Sequence, residues 1–481
     1  MKTKQVLLTP LTVRTLASVI LFSQGVFCMT ASAANPASQG QGNQAGSHGT
    51  DEQSAQFDVR LAKMLVEHGV EPIDSPPQDS DQVVLGQALF FDRILSGNRD
   101  TACATCHHPL TATSDALALG VGTGTETPGQ ISFFRGRGEG RLFIPRNSPD
   151  VFNRGSVHWQ TAFWDGRAST ADGVIISPAG DQLPSGLSTP LQVQAMFPVT
   201  SRDEMRGDLH DVALGNELAA FEDDDFIGMW DAIMARLLAI EAYRDMFAAA
   251  FPGVPEDSLG FQHAAIAIAA FEAEAFGMND SPFDDYLAGK RDALSIDAKR
   301  GAILFYGAAN CASCHSGSLL TDQSHHNLAV PQLGPGKDLD AGLDFGRFGV
   351  TGDASDLFKF RTPALRNVTQ TGPWMHNGAY GNLEDAILHH IHPEESLLAY
   401  DPFEQLAQED LRPLVVNDSG LNEWMLDTSE MIDVKLNKNE LGWIIAFLES
   451  LTAPELQERL LLVVPESVPS GMLEDGMPVA E

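Results

Sequence analysis

The sequence predicts an all-α protein in two parts, and three observations carry that expectation. Apolar residues recur at three- and four-residue spacing over several segments, and no convincing set of alternating strands is found. The pattern C-x-x-C-H occurs twice, once on each side of a break at 282–295 that holds Gly289 and a charged cluster.

The chain opens with Lys2, Lys4 and Arg14 before an apolar run at 16–29, followed by Thr30-Ala31-Ser32-Ala33. That order predicts a secretory signal peptide over 1–33, cleaved after Ala33. The run is too short and too interrupted, by Ser23, Gln24 and Gly25, for a membrane span. Cys28 would suit a lipoprotein, but Phe27 before it is too bulky for that cleavage, so soluble export is preferred. Small polar residues without period make 34–56 a flexible leader.

Structure is expected from about Phe57, with helical spacing at 57–68 and an apolar cluster at 83–91 ahead of the turn Ser96-Gly97-Asn98. That turn leads to Cys103-Ala-Thr-Cys106-His107. Two glycine triplets, Gly120/Gly122/Gly124 and Gly136/Gly138/Gly140, look like phosphate loops. Neither lies between a strand and a helix, so both read as plain loop. Helical spacing continues over 226–251, over an Ala-rich segment at 263–276 that ends at Gly277, and at 441–451. The second motif, Cys311-Ala-Ser-Cys314-His315, sits between the last two. The expected parts are 57–285, 286–455 and an acidic tail at 456–481, which after Pro465 reads as mobile because Pro469, Gly471, Gly476 and Pro478 break any helix.

C-x-x-C-H is the spacing by which c-type haem is attached covalently. In one helical turn both thiols face one side and can each close a thioether, while the adjacent His reaches the iron. A zinc knuckle or a thioredoxin-like dithiol is the alternative, and both fit poorly because a His follows each pair directly and neither pair lies in a βαβ pattern. Two haems are therefore expected, on Cys103, Cys106 and His107, and on Cys311, Cys314 and His315. Once the signal region is removed, these motifs use every cysteine and leave none for disulfides. Haem attachment of this kind is made outside the cytoplasm, which agrees with export and places the protein in the periplasm.

Lys and Arg number 30 against 65 Asp and Glu, a net charge of −35. Nucleic acid is excluded as a partner, because phosphate binding requires a basic face. The acidic surface reads first as a solubility feature, and second as a means of steering a basic electron-donor protein.

The order of motifs resembles the bacterial di-haem cytochrome c peroxidases and their relative MauG. In the first part the resemblance rests on the motif at Cys103, on Pro145-Arg-Asn147-Ser-Pro149 and on Phe163-Trp164-Asp165-Gly166-Arg167. In the second it rests on the motif at Cys311, on Phe360-Arg-Thr-Pro-Ala-Leu-Arg-Asn367 and on His376-Asn-Gly378. It implies two cytochrome c-like haem domains packed across a seam, one iron open to peroxide and the other six-coordinate and handling electrons.

In this family the far ligand of the second iron lies fourteen residues beyond the His of the His-Asn-Gly motif, which here is His390. Peroxidases carry Met there and MauG carries Tyr, so the chain departs from both. Leu383, Ala386, Ile387, His390 and Ile391 share one helix face, His389 falls away from it and His392 precedes Pro393. The competing reading has His390 merely packing while Met375 or another group ligates. A His/His iron is expected to have a lower potential than a His/Met one. Many relatives cap the first iron with a His in the loop after the motif; Val121 stands there, which predicts a first haem that is open without reductive activation.

Glu204, in Ser201-Arg-Asp-Glu204-Met205, matches the family's acid–base glutamate. Its alternative reading is a solvated charge beside Arg202 and Arg206. Trp164 matches the aromatic residue between the haems and reads equally as a core residue. Asn147, Thr371 and Pro373 match the oxygen ligands of a calcium ion at the seam. The function implied is a periplasmic peroxidase that reduces hydrogen peroxide with electrons from a small cytochrome c or copper protein. The alternatives are a MauG-like oxidase acting on a residue of a partner protein and a di-haem electron-transfer cytochrome without enzymatic activity.

Overall fold

Two helix pairs dominate the molecule, and each pair closes on a glycine. Ser80–Phe91 packs along Phe261–Ala275, and Ile296–Phe305 packs along Lys438–Glu449. A Cβ on Gly86 would lie 1.9 Å from the Ala267 carbonyl oxygen, and one on Gly301 would lie 1.8 Å from that of Trp443. Only glycine permits this approach, so these two positions set the helix–helix distance in each pair. Each pair stands next to one C-x-x-C-H motif, Cys103–Cys106 forming a helical turn and Cys311–Ser313 a tighter one.

The computed structural model describes residues 45–170, 173–337, 342–431, 434–474 and 476. The expected signal region and the start of the expected leader lie outside them. The chain divides into units at 1–49 and from Thr50 onward. Among the described residues the protein is mostly helical, and its regular strands are two short antiparallel pairs, Thr161–Ala162 with Ala168–Ser169 and His325–His326 with Phe360–Arg361.

Two large apolar cores accompany the helix pairs. The first joins Leu85, Leu89 and Phe90 to Ala267, Ile268 and Phe271, with Trp230, Leu237 and Phe247 packed around them. The second joins Ala302, Ile303 and Phe305 to Ile444, Phe447 and Leu448. Aromatic edges interlock in both, for example Phe90 against Phe271 at 5.2 Å and Phe305 against Phe447 at 5.1 Å between centroids.

Three local expectations change. Helix begins at Ala45 rather than near Phe57, as part of Ala45–Glu67, because Leu61 and Leu65 dock in the second core and Lys299 bridges back to Ser54 and Asp58. The expected helix over 226–251 is two helices, Phe226–Leu238 and Glu241–Ala250, joined at Ala239 and Ile240. The acidic tail begins with a helix, Leu456–Leu461, whose Leu456 and Leu460 enter the first core, and the stretch expected to be mobile after Pro465 also packs there through Val468. Farther on, the Ser470 hydroxyl donates to Asp92, and the Glu474 amide donates to the Phe91 carbonyl.

Segments 115–167 and 344–408 are tied by buried polar contacts. Arg146 forks between Asp165 and Asp344, donating to Asp344 at 2.7 and 2.9 Å. Main-chain amides of Asn147 and Arg361 donate to the carbonyls of His376 and Trp164 at 2.8 and 2.7 Å. The Gln408 side chain accepts from the amides of Ala118 and Leu119 and donates to the Leu119 carbonyl.

Candidate functional site

Two cavities open on the two motifs. The first, about 180 Å³, has Cys103, Cys106 and His107 on its wall, together with Arg154, Arg167, Glu204, Met205 and Glu272. The second, about 490 Å³, has Cys311, Cys314 and His315 on one side and His390 on another, between apolar walls that include Phe305, Leu365, Ile387 and Leu448.

Main-chain carbonyls fix the tautomer of three imidazoles. His107 Nδ1 donates to the Thr113 carbonyl at 3.1 Å, His315 Nδ1 to Leu320 at 3.1 Å and His390 Nδ1 to Ala386 at 2.7 Å. Each neutral ring thereby keeps its Nε2 lone pair, the arrangement in which histidine binds a metal. Burial holds His107 and His315 down to about 4, and lowers His390, so all three stay neutral at physiological pH.

The rings of His315 and His390 lie 6.3 Å apart between centroids. Two imidazoles on opposite sides of one metal, each bound at about 2 Å, have ring centres about 6 Å apart. The donor set of the second cavity therefore fits a haem iron held from both sides. His389 differs: it is fully buried and both its nitrogens are used, Nε2 by the Leu328 carbonyl at 2.8 Å and Nδ1 by the Tyr380 hydroxyl at 2.9 Å. Met375, the rival ligand, also lines the second cavity.

In the first cavity, His107 is the one histidine among the described residues of the lining. The cavity carries two buried polar atoms without partners, Arg154 Nη1 and Glu272 Oε2. A buried guanidinium nitrogen left open suits a carboxylate-bearing group such as haem. Val121 is buried in an apolar cluster with Leu119, Phe143 and Leu411, and its loop is pinned by Gln408 and by the Asn147 side-chain amide, whose Nδ2 donates to the Leu117 carbonyl at 2.8 Å.

Glu204 sits on a π-helical turn, Arg202–Arg206, at the wall of the first cavity. Two glycines brace that turn. The Gly97 amide donates to the Met205 carbonyl at 2.7 Å, and a Cβ on Gly122 would lie 1.9 Å from the Asp203 carbonyl oxygen. Gly122 thus belongs to a plain loop whose smallness shapes the site, a role invisible in its spacing. Arg202 and Arg206 both turn to Asp223 instead of Glu204. Burial raises the Glu204 carboxyl above the usual carboxylate range, with Arg167 and Lys337 pulling the other way.

Trp164 lines both cavities, buried, with its indole N–H donating to the Asn147 carbonyl at 2.9 Å. Asn147, Pro149, Asp150 and Arg361 also line both. Arg361 was not singled out from the sequence: a lone Arg in a motif carries no sign of burial, yet desolvation lowers it to about 9. Asn147, Thr371 and Pro373 all line the second cavity.

Three of the motif thiols lie in surroundings unlike those of a redox dithiol. Burial pushes Cys103 and Cys311 up to about 12 and Cys106 in the same direction, whereas a dithiol of that kind has a thiol held below the ordinary range. A metal-sized cluster of Cys314, Asp322 and His326 exists, with ligand atoms within 4.8 Å of one another. His326 is clamped between Asp322 and Glu430 at 2.9 and 2.5 Å, which occupies both of its nitrogens.

The pattern of the di-haem cytochrome c peroxidase family matches residues 80–292. The chain is 32% identical to the methylamine utilization protein MauG of Methylorubrum extorquens over 346 residues, covering 70% of this chain and 77% of that one. It is also 32% identical to the cytochrome c551 peroxidase of Pseudomonas aeruginosa over 320 residues, covering 66% and 74%. Among solved structures it resembles a MauG-like protein associated with microbial copper homeostasis, at TM-score 0.55 and 27% identity over 81% of this chain and 95% of that one. The chain belongs to the di-haem cytochrome c peroxidase and MauG family, and is an oxidoreductase with haem cofactors.

Proposed function

We propose that the protein is a periplasmic di-haem c peroxidase that reduces hydrogen peroxide in the first cavity with electrons delivered through the second. The observation that carries this reading is Glu204. It is a carboxyl of raised affinity for protons on the wall of a cavity whose one described histidine is the motif's own. Each turnover consumes one peroxide, two electrons and two protons and yields two waters.

Cys103, Cys106 and His107 would hold one haem, and Cys311, Cys314, His315 and His390 the other. When bound, haem supplies the iron that accepts donor electrons and passes them to peroxide. Glu204 would take the proton of one peroxide oxygen and return it to the other, departing oxygen, so that water rather than hydroxide leaves. Its raised affinity helps the second half of that exchange. Trp164, common to both linings, offers a packed aromatic bridge for the electron. Asn147, Thr371 and Pro373 would present oxygen atoms to a calcium ion that stiffens the same wall. The two cores and two motifs support a division into two haem-bearing domains. The basic and apolar start of the chain supports export by a signal peptide.

A second reading, a MauG-like oxidase that withdraws electrons from a residue of a partner protein, is favoured by Val121 and its pinned loop. Donor type separates the two: a reduced small cytochrome c or copper protein discharges the peroxide-treated peroxidase rapidly, whereas the oxidase holds its oxidised state until its protein substrate arrives.

The direct test is Glu204→Gln in steady-state peroxide reduction. Loss of the acid–base group is expected to lower kcat by about 10²- to 10⁴-fold, with the visible spectrum of the oxidised haems unchanged. An unchanged kcat would remove Glu204 from the reaction.

A further inference from the structure

Tyr380 is buried, and its environment differs from that of an ordinary packed tyrosine. His389 Nε2 faces the Leu328 carbonyl at 2.8 Å, and a carbonyl only accepts, so Nε2 carries the ring proton. In the neutral ring Nδ1 is then an acceptor, and the Tyr380 hydroxyl 2.9 Å away donates to it. The Ser396 hydroxyl, 2.9 Å from the phenolic oxygen, is left to donate to it. A phenol that loses an electron becomes a strong acid. The 2.9 Å hydrogen bond gives that proton a short path to Nδ1, although burial holds His389 down to about 3 at rest, so the proton stays on Tyr380 until an electron leaves; the Ser396 hydroxyl remains to hold the oxygen.

The pair is also well situated. His389 precedes His390, whose ring faces His315 across the second cavity, and the Tyr380 and His389 rings are 5.0 Å apart. On the outward side the Tyr400 ring meets Tyr380 edge-on at 5.6 Å and is only half-buried. The Tyr400 hydroxyl donates to the Ala379 carbonyl at 2.7 Å, which takes no proton, so Tyr400 offers an outward contact and not a resting place for the oxidised state.

We propose that Tyr380, with His389 as its proton acceptor and Tyr400 as its outward contact, is a redox relay between the second haem cavity and the protein surface. The proposal rests on the peroxide reading above and adds the route by which outside electrons reach that cavity. Hydrogen peroxide is the oxidant. Its O–O bond breaks as it takes two electrons and two protons to become two waters, and the protein is left short of two electrons. Tyr380 then gives one electron inward, while its phenolic proton moves to His389 Nδ1. A reduced one-electron donor at the Tyr400 face returns the electron, and the proton moves back from His389 to Tyr380. Two passes restore the protein, and Tyr380 is unchanged.

The haem-loaded full chain is treated with one equivalent of hydrogen peroxide without donor, and followed by visible spectroscopy and by EPR near the free-electron g value. A change in the haem bands together with an organic radical signal is expected. The signal narrows when the protein is made with ring-deuterated tyrosine and is lost in Tyr380→Phe, whose haem bands still respond to peroxide. If the haem bands respond but the signal is absent, is insensitive to the deuterated ring, or survives in Tyr380→Phe, the relay is overturned and the peroxide reading stands. Haem bands unmoved by peroxide overturn both. The deuteration arm needs no variant, so a folding defect in Tyr380→Phe cannot mask the answer.

Discussion

His107, His315 and His390 each give Nδ1–H to a main-chain carbonyl, and this local bond distinguishes His390 from its neighbour His389. Replacing His390 with Met is predicted to raise the midpoint potential of the second haem, because a thioether favours the reduced iron. A spectroelectrochemical titration reads this directly, and an unmoved potential would show that His390 is not the ligand. Glu204, with proton affinity raised by burial, must be ionised to begin the exchange. Peroxide turnover is therefore predicted to fall as pH drops through its raised pKa, and this acid limb should vanish in Glu204→Gln. Glu272 offers a stability counterpart, since desolvation pushes it up to about 8 in the fold. Its folded pKa exceeds its unfolded one, so between about 4.5 and about 8 the folded state binds more protons and stability falls as pH rises. Glu272→Gln should flatten that slope in thermal melts across the same range. The lined face of Leu383, Ala386, Ile387, His390 and Ile391 was legible from helix period alone. The burial of His389 was not, since its partners Leu328 and Tyr380 come from outside its helix.

At the scale of elements, glycine contacts decide how closely the helices approach. Gly301→Ala puts a methyl 1.8 Å from the Trp443 carbonyl oxygen, and only backbone movement can relieve it. Overpacking of this kind costs about 1–3 kcal/mol, and denaturant unfolding should show that loss, whereas Ala in place of the exposed Gly442 in the same helix should raise stability by about 1 kcal/mol. Element boundaries show where sequence reasoning stops. The apolar spacing through 226–251 runs on without a breaker, yet the chain turns at Ala239 and Ile240 so that Tyr243 and Phe247 reach the first core. Prolines and glycines after Pro465 outweighed Val468 as a signal, and Leu456 and Leu460 went unread at the head of the acidic tail. The core these three residues join is built mostly from segments that precede Gly277, far away in the chain. The π-helical turn at Arg202–Arg206 follows from packing against Gly97 and Gly122 and has no local sequence signature.

Across the whole molecule, Arg146 joins segments that stand far apart in sequence, with Asp165 on one side and Asp344 on the other. The two carboxylates hold its guanidinium above the usual range. Arg146→Ala would strand Asp344 without its buried cation, while Asp165 keeps Arg167 at 2.9 Å. A loss of about 3–5 kcal/mol is predicted, measurable as a lowered Tm of the haem-loaded protein. The helical class and the two attachment motifs were legible because spacing alone defines them. In the wall shared by the two cavities, Trp164 and Asn147 were legible only through the family resemblance and Arg361 was not, because the three meet there through the Trp164 indole bond to the Asn147 carbonyl and the Arg361 amide bond to the Trp164 carbonyl. We infer that the first haem has an open side while the second is held from both. The measurement that tests it most directly is an EPR and visible spectrum of the oxidised, haem-loaded protein, repeated after one equivalent of hydrogen peroxide without reductant. One high-spin and one low-spin ferric signal, both altered by peroxide, is the predicted result. Two low-spin signals, inert to peroxide until the protein is partly reduced, would contradict it by revealing a further ligand on the first iron.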